Sequence, residues 1–281
     1  NPAGVVPDAK GLTDEQMLRI ARELNNSETA FMFETDSPDY DIEVRFFTPT
    51  TEVPICGHAT IAAHYVRAKE RNMEGGTVVQ KTKAGILPVE VVRTLSDYSI
   101  TMTQGTPAVS APFGDTVRER IADALGIAHE EICREYPVAV ASTGHSKVMV
   151  PLYSNELLHG LRPDLQKLTK ISKQIECNGY YVFTLNPQNK ILVHGRMFAP
   201  AIGIAEDPVT GNANGPLGAY LVHFNILQEE DAPCFDFDIL QGEAIKRDGT
   251  MHVHVEKEHG APKLVQITGN AVIAFSTEIT I

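Results

Sequence analysis

The chain has 281 residues, 43% hydrophobic and 21% charged, with a formal net charge of −12 at pH 7. That charge argues against nucleic acid and anionic membrane surfaces as partners, because both are bound through Lys and Arg that neutralise phosphates. No apolar run reaches the roughly 20 residues needed to cross a bilayer, so a soluble protein with no membrane partner is expected.

The first residues, "NPAGVV", run from a turn into an apolar stretch without an initiator Met, which leaves an upstream targeting segment open. The first predicted helix is "TDEQMLRIARELNN". Thr13 and Gln16 form a capping box, Met17, Ile20, Ala21 and Leu24 recur at helical spacing, and Asn25-Asn26 stops the pattern. Short strand-like segments follow: "TAFMFE", "IEVRFF", "TVVQKT", "ILPVEVVR", "YSITMTQ", "KVMVPL", "YYVFTL", "ILVHGRMF", "CFDFDIL", "MHVHVEK", "KLVQITG" and "AVIAFSTEITI". So many strands with few helices predict antiparallel sheets or barrels rather than a doubly wound parallel sheet. Two Ala- and Gly-rich segments interrupt them, "CGHATIAAHYVRAKER" and "TGNANGPLGAYLVHFNIL", and each predicts a helix buried on nearly every side. Cys56, Cys133, Cys177 and Cys234 are far apart with no CxxC pair, which implies free thiols and a reducing, cytoplasmic compartment.

The two interruptions echo each other. Arg45-x-Phe47-x-Pro49 precedes Pro54-Ile55-Cys56-Gly57-His58-Ala59, and Arg196-x-Phe198-x-Pro200 precedes Pro208-Val209-Thr210-Gly211-Asn212-Ala213, about half a chain later. A strand, a Pro turn and a Gly-started buried helix, used twice, predict two structural halves of one design. Two such helix starts offer backbone N–H groups and partial positive charge, hence a cleft for a small anion such as a carboxylate.

Taken with "NPAGVV", "ARELNNSETAF", "RFFTPTTEVPICGHAT", "STGHSKVMVPL", "GRMFAPAIGIAEDPVTGNANG" and "ITGNAVI", all in order, the chain resembles the PhzF-like (phenazine-biosynthesis) isomerases, and within them the bacterial YddE-type branch. The resemblance covers essentially the whole length. It implies an α+β, diaminopimelate epimerase-like fold: two pseudo-symmetric β-barrel-like domains, each wrapped round a central helix, with the active site between them. The expected domains are residues 1–108, 109–270 and a C-terminal strand 271–281 returning to the first; the family pattern has one more strand before Asn1.

The resemblance also assigns roles. The Glu of "NSETAF", here Glu28, is the general acid/base that moves a proton between carbons of the substrate, which requires a carboxyl able to take and return a proton near neutrality. His58 and Asp207 bind and polarise the substrate, while Glu206 reads as a surface acid. Gly57 and Gly211 let the backbone approach the ligand. Asn212 departs from the family's usual Thr-Gly-Ser-Ala, which puts the phenazine precursor itself in doubt as substrate, although an amide can still donate to a carboxylate.

Related epimerases of this fold place a Cys at each helix start, whereas here Cys56 is matched by Thr210, whose hydroxyl is no acid/base partner for a thiol. Two-thiol racemisation is therefore not expected, and Cys56 is read as a relic, a packing residue or a polar wall of the site. A metal centre is not expected either, because Cys56 and His58 supply two ligands and His64 falls on another helix face. A Cys–His pair also reads poorly, since residues two apart in a helix do not face each other. No nucleotide fingerprint is present, so no cofactor is implied. Three functions stand: a cofactor-independent isomerase using Glu28 on a small anionic carboxylate substrate; a Cys56-dependent racemase or epimerase; and a non-catalytic small-molecule-binding homodimer. A homodimer is expected by resemblance.

Overall fold

The computed structural model of the chain describes residues 1–227 and 232–280. Two compact units emerge, one of Pro2–Thr103 with the residues from Thr268 onward, the other of Gln104–Ile267 with Asn1.

The N-terminal unit runs β1 (Gly4–Val6), α1 (Asp14–Leu24), β2 (Thr29–Glu34), β3 (Ile42–Phe47), β4 (Glu52–Val53), α2 (Gly57–Arg71), β5 (Gly76–Thr82), β6 (Gly85–Arg93) and β7 (Tyr98–Thr103). The capping box at Thr13 and Gln16 forms, and Asn25 ends α1 in the left-handed region at φ 51. The strands order as β1-β2-β3-β5-β6-β7, with β4 hydrogen-bonded to β3. Within this unit α2 packs on β1, β2, β6 and β7. Ala59, Ala63 and Ala68 are fully buried, which is how the helix fits close against the sheet.

The second unit runs β8 (Ala108–Val109), α3 (Asp115–Leu125), β9 (Ala139–Ser142), β10 (Lys147–Pro151), α4 (Asn155–Gly160), α5 (Leu165–Ile175), β11 (Tyr180–Leu185), β12 (Ile191–Ala199), β13 (Ile204–Asp207), α6 (Gly211–His223), β14 (Cys234–Gln241), β15 (Gly249–Glu258) and β16 (Ala261–Gly269), the last leaving the unit after Ile267. Its strands order as β8-β9-β10-β11-β12-β14-β15-β16, with β13 on β12. Here α6 is the central helix, packed on β8, β9, β10, β14 and β15. Gly218 allows the approach to β15, where a Cβ would lie 2.8 Å from methyls of Val253 and Val255.

The repeat is therefore topological as well as sequential, and the fold is the expected α+β type. Two expectations are corrected. Each sheet is mixed rather than antiparallel: β1 pairs with β2 and β3 with β5 in parallel, as do β10 with β11 and β12 with β14. Each parallel pair is joined through helix, α1, α2, α4 with α5, and α6 in turn, because a helical crossover returns the chain in the direction it left, as a hairpin cannot. The described residues also hold six α-helices rather than a few.

Of the expected C-terminal strand 271–281, residues 271–280 take no regular structure, and Ile281 lies outside the described residues. Apolar alternation does not make a strand without a ladder, and Val272 and Phe275 stay 82% and 72% exposed.

Candidate active site

Glu28 sits between α1 and β2, where its carbonyl accepts from Gly4 N at 3.1 Å. Gly4 is needed there, since a Cβ would fall 2.6 Å from Thr29 Oγ1. The carboxylate, about one-fifth exposed, places Oε2 3.5 Å from His58 Nε2. Ser27 Oγ lies 3.2 Å from the same nitrogen, and Cys56 Sγ lies 3.4 Å from Nδ1 on the other side of the ring. His58 thus stands between a carboxylate and a thiol, and one neutral tautomer, with Nε2–H donating toward Glu28 or Ser27, leaves Nδ1 to accept from Cys56.

Two sequence arguments fail here. Cys56 and His58 do face each other, because Cys56 is the N-cap of α2 with extended dihedrals (φ −143, ψ 122), so the helical spacing rule does not apply to it. The count of two metal ligands was also short: ligand atoms of Glu28, Cys56 and His58 lie within 4.8 Å of one another, so folding supplies a third donor from a distant stretch. His64 does lie apart, fully buried, with Nε2 3.0 Å from Gln80 Oε1.

In the second unit, Asp207 ends β13 and Thr210 is the N-cap of α6. Asp207 Oδ2 accepts from Thr210 Oγ1, and Oδ1 accepts from Asn1 Nδ2 at 2.8 Å. Beneath them is the fully buried Gln241. Its Oε1 accepts from Thr210 N at 3.1 Å and Asn214 Nδ2 at 2.9 Å, while its Nε2 donates to Asp207 O at 2.7 Å and Thr210 Oγ1 at 3.1 Å. Gly211 and Asn212 open α6, the first buried and the second half-buried. Nearby Lys147 is 8% exposed, and burial pushes its ammonium below its usual range, opposed by the charges of Cys177 and Asp207.

The sequence echo has a structural cause. Arg45 grips Glu52 through Nε and Nη2, both at 2.8 Å, and lies 5.2 Å over the Phe47 ring. Arg196 grips Glu206 at 2.9 and 2.8 Å and lies 4.9 Å over Phe198. In both units a bidentate fork ties the sheet to the short strand that leads into the central helix, which fixes where that helix begins. Glu206 is therefore no surface acid, with only 13% of its side chain exposed.

Glu28, Cys56, Gly57 and His58 thus gather in the N-terminal unit, and Asp207, Thr210, Gly211 and Asn212 in the second. Sequence reasoning missed Ser27, although it adjoins Glu28, and missed Asn1, Lys147 and Gln241, which carry no local pattern that marks them.

The family pattern described as "Phenazine biosynthesis-like protein" matches residues 1–277. An uncharacterized isomerase of Clostridium acetobutylicum is 53% identical, over 100% of this chain and 93% of the relative. The uncharacterized isomerase YddE of Escherichia coli is 49% identical, over 99% and 92%. A trans-2,3-dihydro-3-hydroxyanthranilate isomerase of Pseudomonas chlororaphis is 30% identical, over 97% and 91%. Among solved structures, a PhzF-family protein of Bacillus anthracis superposes with a TM-score of 0.89 at 33% identity, covering 100% of this chain and 94% of the other. A probable proline racemase from Agrobacterium radiobacter shares the fold, with a TM-score of 0.62 at 13% identity over 99% and 89%.

Proposed function

The chain belongs to the phenazine biosynthesis-like (PhzF) family of isomerases, and we propose that it moves a proton between carbons of a small carboxylated metabolite, with Glu28 as acid and base and no cofactor. The observation that carries this reading is the Glu28–His58 contact at 3.5 Å on a partly buried carboxylate. The carboxylate form takes the substrate proton and the acid form returns it at another carbon, while His58 Nε2–H holds the carboxyl in place. Backbone N–H groups at the start of α2, next to His58, suit an anionic substrate. Asp207 keeps a binding role in this proposal, as a carboxylate held by Thr210 and Asn1. The functional unit is proposed to be a homodimer.

The experiment is substrate-dependent hydrogen exchange in deuterated water, with a panel of small carboxylates that includes the substrate named for the Pseudomonas relative. Glu28→Gln should lower label incorporation by about 10²- to 10⁴-fold, the usual worth of a positioned acid/base group. Undiminished exchange in Glu28→Gln would remove Glu28 from the mechanism.

A second reading is favoured by the Cys56 Sγ–His58 Nδ1 contact at 3.4 Å, in which the thiol is the proton carrier. Cys56→Ser separates the two: it retains most exchange under the first reading and abolishes it under the second. A chelator arm tests the three-donor set of Glu28, Cys56 and His58, since activity lost to chelator and restored by Co²⁺ together with a thiolate-to-cobalt band that Cys56→Ser removes would replace acid/base work by metal chemistry at that site.

A further inference from the structure

We propose that His159, His194 and Glu243 form a binding site for a divalent transition-metal ion of the zinc class, separate from the residues assigned to proton transfer. Ligand atoms of the three residues lie within 4.8 Å of one another. A single carboxylate oxygen, Glu243 Oε2, faces His194 Nδ1 at 2.7 Å and His159 Nε2 at 3.3 Å. A tetrahedral ion with bonds of about 2.0–2.1 Å sets its ligand atoms about 3.3 Å apart, so small side-chain movements would admit it.

Each ligand stands on a separately fixed piece of backbone. His159 is near the end of α4, where the buried Arg196 donates through Nη1 to Leu158 O at 3.0 Å and Leu161 O at 3.1 Å. His194 is inside β12, in register with Thr184 on one side and Leu240 on the other. Glu243 opens a single 3₁₀ turn after Gly242, whose φ is +93 and where a Cβ would lie 2.3 Å from Arg247 O. Three ligands on three pinned elements make a preorganised set rather than a chance meeting of flexible side chains.

The donor set is two imidazoles and one carboxylate, which suits Zn²⁺, Co²⁺, Ni²⁺ or Cu²⁺ over Mg²⁺ or Ca²⁺. Three protein ligands leave a fourth position for water, and the His159 side chain, 37% exposed, leaves a route in from solvent. In the metal-free state both rings present an N–H to Oε2. To bind the ion, each neutral ring moves its proton to the other ring nitrogen and presents a lone pair instead, so no net proton is released from neutral rings.

The test uses the full chain, stripped with chelator and desalted, then titrated with Co²⁺ by absorption and with Zn²⁺ against a chromophoric chelator. The other two donor groups among the described residues, Glu28–Cys56–His58 and Cys234–Asp236–His254, each contain a thiol and would give a thiolate-to-cobalt charge-transfer band. The proposed site should give visible d–d bands without that band. His194→Ala and His159→Ala should each weaken this Zn²⁺ equivalent by about 100-fold or more, the loss of a direct ligand exceeding the 10- to 100-fold typical of outer-shell partners. Cys56→Ser and Cys234→Ser should leave it intact. His159 is the more exposed ligand and keeps the test available if His194→Ala fails to fold, with circular dichroism as the check. No Zn²⁺ binding, binding unchanged in folded histidine variants, or binding lost with a thiol would each overturn the proposal.

Discussion

His64 lies within α2 with no exposed surface, its Nε2 3.0 Å from Gln80 Oε1. Burial pushes its pKa from the ordinary 6.5 down to about 4, against a smaller opposing effect of the Gln80 hydrogen bond. The unfolded chain therefore takes up a proton at a pH where the folded chain does not. The stability from keeping this ring neutral is complete above pH 6.5 and is lost as pH falls toward 4, at up to about 1.4 kcal/mol per pH unit. Between pH 7 and pH 5 the wild type should lose about 2 kcal/mol more than His64→Gln in urea melts. Equal losses in the two proteins would show that His64 does not set this dependence.

At the scale of elements, α2 and α6 begin alike. Neither N-cap side chain, Cys56 nor Thr210, caps its own helix. Three residues after the leading glycine, Thr60 Oγ1 donates to Cys56 O at 2.8 Å and Asn214 Nδ2 donates to Thr210 O at 2.9 Å. What differs is the support below, since α6 rests on Gln241 of β14, which holds Thr210, Asn214 and Asp207 together. Gln241→Leu takes the side-chain bonds from Thr210 N and Asp207 O, while Asn214 Nδ2 and Thr210 Oγ1 keep Thr210 O and Asp207, and at about 1–3 kcal/mol for each of the two groups it should destabilise the protein by about 3 kcal/mol in all. A loss under about 1 kcal/mol in denaturant melts would mean that other groups take over the bonds.

These elements were unequally legible in the sequence. The two Gly-led helices and the Arg-x-Phe repeat could be read because local spacing carries them. The fork partners Glu52 and Glu206, the Gln241 support and the third donor to His58 could not, because each is a contact that only tertiary folding makes. Helix α5 was legible and went unread: Asp164 accepts from Gln166 N and Lys167 N at 3.0 Å, and Leu165, Leu168, Ile171 and Ile175 keep helical spacing. The mixed sheet could also have been inferred, since a helix between strands is what parallel pairing requires.

At the scale of the whole molecule, the chain leaves the N-terminal unit at Thr103, builds the second unit, and re-enters the first at Thr268. The returning segment ends β16 at Gly269 and forms no strand after it, and side chains tie it to the unit. Asn270 Nδ2 donates to Tyr98 O at 3.0 Å and Ser99 Oγ at 3.2 Å, Thr101 and Thr268 share a hydroxyl contact at 2.6 Å, and Ala271 packs on the core around Ile100 and Val91. Contacts so distant in sequence form only after a large loop is closed, so the N-terminal unit should be completed late in folding. Asn270→Ala removes the amide tie and should cost about 0.5–1.5 kcal/mol, the usual net worth of an intramolecular hydrogen bond. Because the tie is to β7, the loss should appear in hydrogen exchange as faster amides in β6 and β7, with α5 and β11 of the second unit unchanged. Faster exchange spread equally over both units would instead show that Asn270 supports global stability and has no particular role in closing the first unit.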